Sequence, residues 1–180
     1  MGMRVKVTGE ELAQQAINGG YVGIPYSQLD CQGFVEQVLR DTGVRKSDGH
    51  PYNWKGSNSM WRNYIQWKGT ISECIEKFGS IPLGAFLFIV KRDGGEVERG
   101  YHDSEGNASH VGLYTGASPL PCMDSQGDRG VAYCRLGIFT HVGLMMMVDY
   151  YNEPVAHTDR PSREQALEAL ETLTKYITEG

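Results

Sequence analysis

The chain is 180 residues long, 40% hydrophobic and 22% charged. That is enough for one domain with its own core and too apolar to remain disordered. A net charge of −5 with no basic run excludes the electrostatic footprint of a nucleic-acid binder, and no stretch reaches the roughly eighteen apolar residues of a membrane-spanning helix.

Residues 1–20 carry no apolar segment of the signal-peptide kind, so no leader of that type is expected. Thr8-Gly9-Glu10-Glu11 reads as a capping box, followed by Leu12, Ala13, Ala16 and Ile17 on one helical face and by Asn18-Gly19-Gly20 as its end. A loop punctuated by Gly23 and Pro25 then leads into Asp30-Cys31-Gln32-Gly33-Phe34-Val35. From Cys31 the apolar side chains fall at Phe34, Val35, Val38 and Leu39, the spacing of a helix face. Asp30 takes the N-cap position, and Gly43 offers a left-handed exit. This helix is expected to pack against the first one.

Residues 44–58 are polar and rich in turn formers, and a short helix carrying Met60, Trp61, Tyr64 and Ile65 is expected after them. Trp54, Trp61 and Trp67 are the only tryptophans, and Trp61 is the one best placed for a core. Thr70-Ile71-Ser72-Glu73 is a second capping box, opening a helix with Ile71, Cys74, Ile75 and Phe78 inward and Gly79 as its stop.

The pattern then changes to strands. Residues 85–90 form a short apolar run, Asp93-Gly94-Gly95 a turn, and 109–116 a second strand. Further strands are expected at 121–125, 131–136 and 141–150, joined by short turns. Helices first and strands afterwards argue for an α+β fold with an antiparallel sheet, N-terminal helices packed upon it. The domain is expected to span 1–151. Residues 152–180 read as a linker and an amphipathic helix, with Ser162 and Gln165 as a third capping box and Ala166, Leu167, Leu170, Leu173 and Ile177 on one face.

Of the four cysteines, none sits in a CxxC, so no zinc site, other metal or cofactor is expected. Cys122 and Cys134 would meet across a hairpin, as a disulfide or as two thiols. Cys31 differs from the others by its place. At the first turn of a helix, unpaired N–H groups and the helix dipole favour an anionic sulfur. A cysteine nucleophile also needs a base, and that base an orienting group. His110 opens one strand and Asp124 lies on the next, so Cys31, His110 and Asp124 form the candidate constellation. His141 is the rival base, with the same Val-Gly-Leu after it but no polar residue one strand later. His50, His102 and His157 lie in polar loops and read as solvated.

Asp30-Cys31-Gln32-Gly33-Phe34-Val35 resembles the Asp-Cys-Ser-Gly-Phe-Val motif of the NlpC/P60 cell-wall cysteine peptidases. Asn107-Ala108-Ser109-His110-Val111-Gly112-Leu113-Tyr114 is similar to that family's histidine strand, and Gly84-Ala85-Phe86-Leu87-Phe88 to the strand before it. The resemblance covers roughly residues 10–150. It implies a papain-like core with Cys31 as nucleophile, His110 as base and Asp124 at the third position, where the family usually carries His, Asn or Gln. It places Tyr26 near the oxyanion and Gln32 where the family has Ser, both lining the substrate site. The aromatic stretch 44–80 looks like phage-related or Gram-positive members. The implied partners are peptidoglycan stem peptides, cut at a γ-D-glutamyl bond to a diamino acid, with the cell wall as the place of action. An amidase or acyltransferase would use the same Cys-His pair. A non-catalytic phage-tail or wall-binding module is the third reading.

Overall fold

The computed structural model describes residues 4–91 and 100–150. The turn expected at 93–95, the 152–161 linker, His157 and the C-terminal helix lie outside the described residues. The chain divides into two units, Met1–Tyr150 and Tyr151–Gly180, and every described helix and strand belongs to the first.

The fold is mixed α+β. Its helices are α1 (Gly9–Asn18), α2 (Cys31–Asp41), α3 (Ser57–Asn63) and α4 (Ile71–Phe78). The main sheet is built from β2 (Ile65–Thr70), β3 (Phe86–Lys91), β4 (Asn107–Tyr114), β5 (Cys122–Gln126), β6 (Gly130–Cys134) and β7 (His141–Met145). These six strands run in the order β2-β7-β3-β4-β5-β6, every neighbouring pair antiparallel. A small parallel pair joins β1 (Val7–Thr8) to β8 (Val148–Asp149).

Local chemistry explains most of the helix boundaries. Thr8 and Glu11 cap α1 reciprocally, and Thr70 and Glu73 do the same for α4, so two otherwise unpaired N–H groups are satisfied at each start. Gly79 closes α4 in the left-handed region at φ +80°, where an L side chain would be strained.

The run Phe86-Leu87-Phe88-Ile89-Val90 is apolar on both faces because β3 is covered on both. Phe86 and Phe88 join Leu12, Phe34, Val35, Val38, Trp61, Val111, Leu113 and Met123 in the larger core, under α1, α2 and α3. Leu87 and the half-buried Ile89 face a smaller core with Cys74, Cys122, Cys134, Phe139, Val142 and Leu144, which α4 covers. Trp61 is fully buried, as its place in the pattern suggests.

Three expectations are corrected. The short helix ends at Asn63, and Ile65 begins β2, a strand not foreseen from sequence. Residues 65–70 are drawn into the sheet by pairing with β7, with an irregularity between Ile65 and Trp67. Ile75 is 45% exposed rather than inward. The two-turn α4 packs through Ile71, Cys74 and Phe78, a stripe too narrow to include it. The strand expected over 141–150 is split by a turn at Met146 and Met147, which sends β8 to pair with β1 instead.

Candidate active site

Cys31 is the first residue of α2. Asp30, in extended conformation, accepts the Gly33 N–H at 2.6 Å and closes the helix start. A β-carbon on Gly33 would come within 3.0 Å of that same Asp30 oxygen, so glycine lets the cap sit close. The Cys31 side chain is half-buried at the margin of the larger core.

The loop leading to it is fastened to the sheet. Gly23 N–H donates to Val131 O and Val131 N–H to Ile24 O, each at 2.9 Å. Gly130 is required beneath this contact: its φ is +66°, and a β-carbon there would lie 2.2 Å from Ile24 O. Ser125 Oγ donates to Leu29 O, two residues before the thiol. Tyr26, on this loop, is 39% exposed, and its hydroxyl lies close enough to Cys31 to interact with it. The charge of Cys31, then burial, raises the phenol above its ordinary value.

His110 and Asp124 come from neighbouring strands. Gly112 stands directly opposite Asp124 in the β4–β5 register, which puts His110 on the same face, one diagonal away. The His110 Nε2 lies 2.8 Å from Asp124 Oδ2. His110 also interacts with Cys31, so the imidazole stands between the sulfur and the carboxylate. Phe139 stacks on its ring, centroids 5.9 Å apart and planes 12° apart. A β-carbon at position 112 would lie 2.6 Å from Phe139 Cζ and 2.8 Å from Met123 O, so glycine admits this stack.

Asp124 is fully buried and its charge is met from several sides. Beyond His110, Gln126 Nε2 donates to Oδ2 and Arg129 Nη2 to Oδ1, each at 2.7 Å. The Cys134 thiol is also close enough to feel its charge. Burial alone would raise the Asp124 carboxyl, but the bonds from His110 and Gln126 and the charges of His110 and Arg129 hold it below the usual carboxylate value. Burial likewise works against a charged His110. The Asp124 bond, with the nearness and charge of Cys31, outweighs it and lifts the imidazole from 6.5 to about 9. The ring is therefore an imidazolium at neutral pH, with both nitrogens donating.

The site thus brings Cys31, His110, Asp124 and Tyr26 together. Gln32 points elsewhere: its Nε2 donates to Glu36 Oε1 at 2.8 Å and to the Trp54 carbonyl, tying the 50s loop to α2. His141 is packed edge-on against Trp61, with Nδ1 2.8 Å from Thr140 Oγ1. His50 and His102 are exposed. Cys122 and Cys134 are directly opposite across β5–β6 and remain two thiols in hydrogen-bond contact, a contact that with burial pushes Cys134 up. Burial raises Cys74 to about 11, in keeping with a core thiol.

Gln126, Arg129 and Phe139 were not singled out by sequence. The signal for Arg129 was the tight Gln126-Gly127-Asp128-Arg129-Gly130 turn, which folds it back five residues onto Asp124. Among the described residues no cluster of His, Cys, Asp and Glu could hold a metal ion, and no helix is long and apolar enough to cross a membrane. No protein-family profile, no curated protein and no solved structure matches the chain.

Proposed function

We propose that the protein is a cysteine peptidase with a papain-like core of the NlpC/P60 type, hydrolysing amide bonds in peptidoglycan stem peptides. The observation that carries this reading is the position of His110 between a half-buried helix-start sulfur and a buried carboxylate. The resemblance of the Cys31 and His110 motifs supplies the substrate class and points to a γ-D-glutamyl bond to a diamino acid.

The Cys31 sulfur attacks the amide carbon, and the carbonyl electron pair moves onto oxygen. In this reading the Cys31 backbone N–H and the Tyr26 hydroxyl hold that oxyanion, a contact whose loss typically costs ~100-fold or more. The tetrahedral centre collapses as the imidazolium gives its proton to the leaving amine, which departs and leaves a thioester. Neutral His110 then takes a proton from water, the resulting hydroxide attacks the thioester, and the carboxylic acid leaves as the sulfur is restored. Asp124 holds the ring in line throughout.

The test is digestion of purified muropeptides, read by mass spectrometry. Fragments split within the stem peptide are expected. Release of intact stems from the sugar would instead make the protein an amidase, and a Cys31→Ser protein that digests as fast as wild type would remove the cysteine mechanism.

A further inference from the structure

We propose that Arg129 is a positioning residue of this site, its guanidinium neutralising the buried Asp124 carboxylate and aiming it at His110. The inference rests on the peptidase reading for its catalytic meaning and on geometry for its substance. Asp124 has no exposed surface, and a buried carboxylate without a counter-charge is strongly disfavoured. Arg129 Nη2 holds Oδ1 at 2.7 Å, which leaves Oδ2 to His110 at 2.8 Å and to Gln126 at 2.7 Å. Each carboxylate oxygen thus has its own task, one anchored to the hairpin turn and one turned to the imidazole.

The arrangement answers a difficulty that the third position itself creates. A neutral residue there would orient the imidazole without adding charge. An aspartate adds a full negative charge beneath it, and the Arg129 guanidinium cancels that charge from the far side. Arg129 can do so because it is 36% exposed and keeps part of its own hydration. The groups facing the carboxylate are His110 from β4, Gln126 from β5, Arg129 from the turn and Cys134 from β6. Cys31 and Tyr26 reach it only through the imidazole. Arg129 is the sole permanent cation in that set.

The experiment compares wild type, Arg129→Gln and Arg129→Lys. Carbon-13 NMR follows the Asp124 carboxyl across pH, and iodoacetamide labelling of Cys31 is followed over the same range. In Arg129→Gln the Asp124 titration is expected to rise by about one pH unit, a tenfold gain in proton affinity. The rate of Cys31 labelling changes over the same pH interval as the Asp124 titration, and Arg129→Lys returns most of both changes. A side chain that merely packs would change the melting temperature and leave these profiles in place. Profiles of folded Arg129→Gln that superpose on wild type overturn the proposal. Should Arg129→Gln not fold, Arg129→Gln/Asp124→Asn removes the stranded charge and is expected to fold again; its failure to do so also overturns the proposal. The peptidase reading is judged separately, in wild type alone: slow, uniform labelling of all four cysteines would remove it whatever Asp124 does.

Discussion

The raised His110 imidazole makes a quantitative prediction about stability. Its value climbs from 6.5 to about 9 on folding, a difference worth about 3 kcal/mol. Only 15% of the side chain is exposed, so solvent screening removes little of it. Because the folded value lies above the unfolded one, the contribution is fully present below pH 6.5 and is lost as pH rises through about 9. Urea unfolding of wild type and His110→Gln between roughly pH 6 and pH 10 isolates it. The loss of the Phe139 stack in the variant is independent of pH and cancels from the trend. The stability gap between the two proteins should shrink by about 3 kcal/mol over this range. A gap that stays constant would show that the ring is not held as an imidazolium and would remove the electrostatic basis of the proposed mechanism.

Asp124 carries the opposite sign. Its folded value is depressed, so its contribution is present above the unfolded carboxylate value and is lost as pH falls through the folded one; Asp124→Asn should flatten the acid limb of the stability curve, measured by the same urea titration. Gly112→Ala sets a methyl against Met123 O at 2.8 Å, a backbone atom that cannot step aside, and against Phe139 at 2.6 Å. Overpacking of this kind costs about 1–3 kcal/mol, seen as a lowered melting temperature, and an unchanged melting curve would contradict the tight packing. Peptide mapping after iodoacetamide treatment should find Cys31 modified in the folded protein and the buried Cys74, Cys122 and Cys134 only after denaturation without reductant. A Cys122–Cys134 disulfide peptide in the unreduced digest would contradict the dithiol.

What could be read from sequence was what depends on near neighbours. Asp30 capping Gly33, Thr8 with Glu11 and Thr70 with Glu73 are contacts three residues apart, so the helix starts were legible. The adjacency of His110 and Asp124 followed from two strands joined by a short connection. His110 and His141 share the same following residues, and what separates them is the polar residue one strand after His110, which the strand order brings alongside: β4 lies beside β5, whereas β7 lies between β2 and β3. Long-range pairing was hidden for the same reason. Ile65-Gln66-Trp67-Lys68 alternates apolar and polar as a strand does, but so short a run at the end of a helix is decided only by β7, which recruits it from more than seventy residues away. Phe139 stands beside His110 through a turn of 3-10 helix at Leu136–Ile138, a placement no local pattern encodes.

The loop bonded along Val131 has a consequence for self-association. β6 ends the main sheet, and an uncovered terminal strand is a template on which other chains can add. Residues 23–24 occupy both hydrogen-bonding groups of Val131 and so act as a cover on that border. The cover is also the approach to the reactive sulfur. A molecule whose loop lifts away loses its nucleophile's placement and bares an adhesive border at the same moment, so damage at this point would register together as lost turnover and as precipitation.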